Sequence, residues 1–319
     1  RRKFLLYGIG IGAAGASWYA LSRFGMNGQP MDMGGQGHQM ASGTMGGMGN
    51  MQGTGKLMPS EMMPSGQPLK DLPRLANASS QAGVFQAAIT AAPVKITMAG
   101  GKETEFWAYN GQLPGPQIEV YEGDTVEITV TNRLPQPTTV HWHGLPVAPE
   151  FDGHPRHAIA PGDDFVARWQ LPADWYGTYW YHPHPHGRTA RQAAMGLAGA
   201  VLARDPADPL AGLPESLLVI SDQRFDTGNQ VAAHTLADWM DGREGDVVLV
   251  NGQHRPRLTV APGETRRLRV VNACAARYLR LAVPGARLVR VASDGGWLPA
   301  PQPVGDYLLV PGERSEFVV

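Results

Sequence analysis

The sequence predicts an all-β protein organised as two tandem β-sandwiches, and three observations point there. From about Phe85 onward, apolar and polar residues alternate in short runs of the length a half-buried strand needs. Gly and Pro punctuate those runs, and the chain has 40 of the first and 27 of the second. No stretch carries a long amphipathic helical period. The 319 residues suffice for about two domains at ~100–200 residues each. A formal net charge of -1 gives no electrostatic reason for a nucleic-acid partner.

The first 76 residues stand apart from that pattern. Arg1-Arg2-Lys3 precedes an apolar, Gly/Ala-rich run to Leu21. A basic start followed by an apolar stretch is the plan of an export signal, and the paired arginines suggest the twin-arginine route. At roughly 18 residues the run is at the short limit for a membrane anchor. Residues 1–24 are therefore expected to be a signal or an anchor, with the periplasm as destination. Residues 25–76 are expected to form a disordered Met/Gly-rich segment, because they are nearly devoid of β-branched and aromatic residues and cannot bury a core. Ten of the 13 Met fall between Gly25 and Gly66, and thioether sulfur is a soft ligand that selects Cu(I).

The first sandwich is expected over 77–205. Its strands are read at Val94–Met98, Gln117–Val120, Thr125–Val130 and Phe165–Trp169, with turns at Asn110-Gly111, Glu122-Gly123-Asp124 and Pro161-Gly162-Asp163. The second is expected over 206–319, after the Asp205-Pro206-Ala207-Asp208-Pro209 linker. Its strands are read at Ser216–Ile220, Asp246–Val250, Leu258–Val260, Arg266–Val271, Tyr278–Val283 and Tyr307–Val310. Gln117 through Val130 resembles Arg257 through Val271: a short strand, a Gly-Asp or Gly-Glu turn, and a longer strand ending in Asn. This is a faint internal repeat. The single cysteine, Cys274, cannot form an intrachain disulfide and reads as a small buried apolar residue.

Seven of the ten His lie between residues 141 and 186. They include His141-Trp142-His143-Gly144 and His182-Pro183-His184-Pro185-His186-Gly187. In an extended strand, residues two apart point to the same side, about 6–7 Å apart at their Cα atoms. Each His-x-His pair thus presents two imidazoles to one metal cluster. Neutral imidazole suits Cu, Zn, Ni and Fe. Pro183 and Pro185 remove backbone donors, which places this segment at a strand end or edge.

These motifs carry a resemblance. Thr138 through Leu145 and Gly177 through Gly187 resemble the first two copper motifs of laccase-type multicopper oxidases, most closely the bacterial periplasmic cuprous oxidases. Arg191 through Gly199 and Ala292-Ser293-Asp294-Gly295-Gly296 are similar to the same subgroup. The resemblance covers about residues 85–319. It implies cupredoxin-like Greek-key sandwiches, the second incomplete, with a third domain outside this chain. It implies that His141 binds a type 2 copper, His143 a type 3 copper, and His182 and His184 the type 3 pair, one ion each. His154, His157 and His186 fall outside that ligand pattern and read as structural or supporting residues. Asp152 matches an acidic residue that hydrogen-bonds near the type 2 site, where a carboxylate can donate protons to oxygen reduction. Four further cluster ligands and the type 1 site are expected from the missing domain. Cys274 has no His nearby in sequence and is not expected to bind type 1 copper.

The implied activity is oxidation of Cu(I), and of phenols or aromatic amines, with O2 reduced to water in the service of copper tolerance, by a monomer. Two other readings compete. One is a periplasmic copper-binding or sequestration protein without turnover, which the Met-rich segment fits equally well. The other is a cell-division type of scaffold that keeps the fold without the metal, against which four retained His argue.

Overall fold

The structure, a computed structural model, describes residues 56–319. The expected signal or anchor and residues 25–55 of the Met/Gly-rich segment lie outside the described residues. The first sandwich contains β1 (Val84–Thr97), β2 (Glu103–Tyr109), β3 (Ile118–Tyr121), β4 (Thr125–Asn132), β5 (His141–His143), β6 (Asp164–Gln170), β7 (Gly177–His182) and β8 (Gly199–Arg204). One sheet runs β2-β1-β4-β6 and the other β3-β8-β7-β5. Period-2 alternation makes them a sandwich: Val126, Ile128 and Val130 of β4 turn inward to meet Ile118, Val120, Trp142, Tyr179 and Tyr181 from the facing sheet. Between β7 and β8, Thr189–Ala194 forms a short helix, α1.

The second half is strand-rich as well: β9 (Glu215–Gln223), β10 (Val247–Val250), β11 (Gln253–His254), β12 (Arg267–Asn272), β13 (Leu279–Leu281), β14 (Leu288–Ser293), β15 (Gly296–Val304), β16 (Tyr307–Leu309) and β17 (Arg314–Val318). Seven of these form one sheet in the order β11-β10-β9-β12-β17-β14-β15, and β13 pairs with β16. Ile220, Leu268, Val270, Leu288, Leu309 and Phe317 form the core of this half. A short helix, α2 (Leu236–Asp241), follows β9 and opens with a capping box between Thr235 and Asp238.

The internal repeat is realised in backbone detail. Asn132, at the end of β4, is fully buried. Its Nδ2 donates to the carbonyls of Gln136 and Ile159, and its Oδ1 accepts from Leu134 N. Asn272, at the end of β12, is equally buried. Its Nδ2 donates to Arg277 and Leu309 carbonyls, and its Oδ1 accepts from Cys274 N. Each Asn also exchanges backbone bonds with a Pro-Gly-acid turn: Gly162 N donates to Asn132 O and Asn132 N to Asp163 O, while Gly312 N donates to Asn272 O and Asn272 N to Glu313 O. One side chain in each half thereby satisfies three backbone groups that the strand-to-loop transition would strand without partners.

Two expectations are corrected. Leu258–Val260 is not a strand and is largely exposed. Its counterpart β3 is held by parallel pairing with β8, and among the described residues no strand takes that place beside 258–260. Residues 56–76, expected to be disordered, pack onto the fold. Met58 and Met63 are each 5% exposed and join Phe106, Phe225, Val247 and Leu249 in one apolar cluster. Leu72 contributes to the core between the two halves. Isolated bridges tie Leu57 to Asp226, Pro68 to Arg257 and Arg74 to Gln117. Met58 and Met63 are unbranched apolar fillers, which composition alone did not distinguish from ligands.

Removing either Asn amide orphans three buried backbone groups. Asn132→Ala and Asn272→Ala should each lower the unfolding free energy by about 2–4 kcal/mol, read from urea denaturation midpoints at unchanged m. A loss under about 0.5 kcal/mol in either variant would contradict the role given to these side chains.

Candidate metal centre

Antiparallel pairing of β5 with β7 sets His141 opposite His182, Trp142 opposite Tyr181 and His143 opposite Trp180. Trp142 and Tyr181 point into the core and are fully buried. Their neighbours His141, His143, Trp180 and His182 therefore occupy the opposite face of the sheet. The second half packs on that same face: Trp180, Ala200 and Leu202 meet Leu217, Val219 and Val271 there. His141, His143 and His182 are paired residues on this face, and His184 lies just past the end of β7.

Ring nitrogens of His141, His143 and His182 come within 4.8 Å of one another. His184, two residues past the end of β7, brings its ring centroid to 5.4 Å from that of His141 and 6.2 Å from that of His182. His184 N donates to Thr139 Oγ1 at 2.9 Å, which holds the segment against the residues just before β5. The structure thus brings together all four His singled out in the sequence.

The hydrogen bonds fix which nitrogens are free. Asp152 Oδ1 lies 2.9 Å from His141 Nδ1 and accepts a second bond from Trp142 N at 3.1 Å. A carboxylate only accepts, so His141 donates through Nδ1, and Nε2 is the nitrogen it can offer to a metal. In His182, Nδ1 donates to Pro183 O at 2.9 Å, leaving Nε2 as the lone pair. That nitrogen is 3.2 Å from His143 Nδ1. Burial is the chief cause that pushes both His143 and His182 down to about 3, with the nearby Arg314 guanidinium adding to the effect at His143. Both rings are neutral near pH 7, the form a metal needs. Converging imidazoles, with no carboxylate oxygen in the cluster of ring nitrogens, form a donor set that fits copper.

Sequence models of the multicopper oxidase family match residues 90–208 and 216–319. The chain belongs to the multicopper oxidase family. It is 37% identical over 232 residues to a multicopper oxidase of Staphylococcus haemolyticus, an alignment covering 68% of this chain and 51% of that protein. It is 36% identical to the cell division protein FtsP of Sodalis glossinidius, over 70% of this chain and 48% of that one. Among solved structures it resembles a multicopper oxidase of Campylobacter jejuni described as a metallo-oxidase, at a TM-score of 0.80 and 43% identity, covering 83% of this chain and 56% of that one. A laccase of Pediococcus acidilactici aligns at a TM-score of 0.74 and 30% identity, over 83% and 57% of the respective chains. The chain spans about half the length of the curated relatives it matches. The two strand-rich halves of this multicopper oxidase chain are cupredoxin-like sandwiches, and membership of the family implies copper.

Some of what supports the His rings was not singled out in the sequence. The Pro311–Arg314 turn of the second half backs His143: a Cβ on Gly312 would sit 3.2 Å from His143 Cε1. Arg314 donates to Thr178 O at 3.0 Å, to Asp294 O at 3.1 Å and to Asp294 Oδ1 at 2.7 Å, and its guanidinium fills the space a side chain at Gly144 would take. The Pro161–Asp163 repeat could have pointed to Pro311–Glu313, but nothing in sequence tied that turn to His143. Of the remaining residues, His154 accepts from Arg156 N and shapes a short turn, and Cys274 is buried with its Sγ against Ile220 O. Burial raises the Cys274 thiol pKa, so it stays protonated.

Asp152 is delivered to His141 by a close backbone approach. Gly153 has φ +68°, and a Cβ there would overlap the Val140 carbonyl just before β5. Gly153→Ala should cost about 2–4 kcal/mol of stability. Gly123→Ala is the control: it needs the same sign of φ (+81°) with no atom within 4 Å, and should cost only about 1 kcal/mol. Equal losses in thermal or chemical unfolding would show that the contact with Val140 is unimportant.

Proposed function

We propose that this chain supplies part of the copper cluster of an exported multicopper oxidase. Its substrate would be Cu(I), with phenols or aromatic amines as further reductants, O2 would be reduced to water, and the role would be copper tolerance in the periplasm. The observation that carries the reading is the convergence of two His-x-His pairs on one face of one sheet, with ring nitrogens of three His within 4.8 Å. His141 would serve a type 2 ion and His143, His182 and His184 a type 3 pair. Bound copper would supply the one-electron steps from substrate and the four-electron delivery to O2. The basic start and apolar run of residues 1–24 support export by the twin-arginine route. No helix of the described residues is long and apolar enough to cross a membrane.

The protein's own groups do the rest. Asp152 Oδ1 holds His141 in the tautomer whose Nε2 faces the cluster, and Pro183 O does the same for His182. Asp152 Oδ2 forms no hydrogen bond among the described residues, so it is the atom left to take and release the protons that water formation consumes. Trp180 packs beside both rings, its centroid 5.0 Å from that of His143 and 4.2 Å from that of His182, and shields them from water on that side.

The likeness to FtsP supports a second reading, a scaffold in cell division that needs no copper; a copper-sequestering protein is a third. Purified full-length protein separates them. The oxidase reading expects copper retained after dialysis, a near-ultraviolet absorption from a coupled type 3 pair after reoxidation, and O2 consumption on adding Cu(I). A copper-replete, full-length protein that consumes no O2 with Cu(I) overturns it.

The Met-rich residues outside the described fold bear on the substrate. Softness of thioether sulfur makes residues 26–55 a weak collector of Cu(I). Their deletion, which spares the packed Met58 and Met63, should raise the Cu(I) concentration for half-maximal oxidation and leave oxidation of phenols unchanged. Unaltered Cu(I) kinetics across a range of free copper would reduce the segment to a linker.

A further inference from the structure

We infer that His182-Pro183-His184-Pro185-His186 is a graded series of imidazoles through which copper reaches the cluster, with His186 as its outer, solvent-facing ligand. The inference rests on the copper reading above. His186 has no part in the ligand set proposed there and forms no hydrogen bond through its ring among the described residues, so neither the site nor the fold accounts for it.

The backbone makes the series. Proline at 183 and 185 limits φ to about -65° and offers no N–H to a neighbouring strand. His184 follows the end of β7 and His186 sits in the turn after it, and each ring lies next to the one before. The ring centroids of His182 and His184 are 6.2 Å apart, and those of His184 and His186 6.0 Å. His184 is also 5.4 Å from His141. Exposure falls along the run: His186 is exposed, His184 half-buried, and His182 only 8% exposed. An ion passing from one imidazole to the next exchanges one ring for another. No proton or electron has to leave, so the step needs no co-reactant.

The surroundings favour this side over the other. Behind His143, Gly312 closes on the ring and the buried Arg314 guanidinium presents a positive charge. The two arginines that follow His186 in sequence have other partners. Arg188 Nη1 donates to Gln136 Oε1 at 2.8 Å, and Arg191 lies over the Trp107 ring. The competing account of His186 is a solvated residue after a turn, with no part in copper uptake.

Full-length apoprotein, offered Cu(I) as its bicinchoninate complex, distinguishes them. Uptake is followed by the fading of the chelator's visible band, final copper per protein by mass spectrometry of the metal, and folding by Tm. His186→Ala should take up copper roughly tenfold more slowly, with final copper content and Tm as in the parent. His186→Met, which restores a soft donor, should recover most of the rate. Uptake by His186→Ala at the parental rate overturns the inference, and so does a lower final copper content, which would make His186 a resident ligand. Parent protein that takes up no copper at all overturns the copper reading together with it.

Discussion

The direction in which Trp142 points governs the metal centre. Its indole is fully buried, 4.4 Å between centroids from Trp169, and its Nε1 donates to Phe151 O at 3.1 Å. Burying so large a ring is worth several kcal/mol, on the order of the 3–5 kcal/mol lost when an aromatic is cut to Ala. With Trp142 committed to the core, His141 and His143 have no choice of face. Tyr181 does the same for His182 from the neighbouring strand. A slip of one residue in the β5–β7 register would put a Trp where the cluster belongs and two imidazoles in an apolar core, which is why the pairing is strongly specified.

The second constraint acts across the two sandwiches. Glu316, 1% exposed, accepts from Arg267 and Arg269 of its own half and from Thr178 Oγ1 of β7 at 2.7 Å. Buried ion pairs of this kind contribute little net stability once desolvation is counted, and breaking one partner is costly. Their effect here is positional. β7 is held by Glu316 and Arg314 on one flank and ends in His182, so the approach of the second half sets the depth at which the first half presents its ligands.

Much of this was legible in the sequence because it follows from period. Two-residue spacing placed His141 with His143 and His182 with His184, and the alternating runs matched β3, β4 and β6 closely, caught only the end of β1, and missed β2 and β8. Asp152 was found through resemblance, and the structure gives it a physical partner in His141 Nδ1. The repeat ending in Asn was visible as letters, but its meaning, a buried amide serving three backbone groups, needed three-dimensional neighbours. Other features had no local signal. Met58 and Met63 look like the Met before them and differ only in having Phe106 and Phe225 to pack on. Leu258–Val260 has strand composition without a strand to pair with. Gly312 and Arg314 lie some 170 residues from His143 in sequence, and nothing periodic connects them.

The Pro311–Arg314 turn also limits how such proteins can be rearranged by evolution. Because that turn forms the wall behind His143, the first sandwich does not own its metal site outright; one side of the site is encoded in the second. A recombination event that exchanged either sandwich alone would join a ligand strand to a wall selected for another. Gly144 would meet a foreign side chain in place of Arg314, and His143 would lose the close fit against Gly312. Heredity should therefore treat the two sandwiches as a single unit of exchange, with crossovers selected against between the two halves.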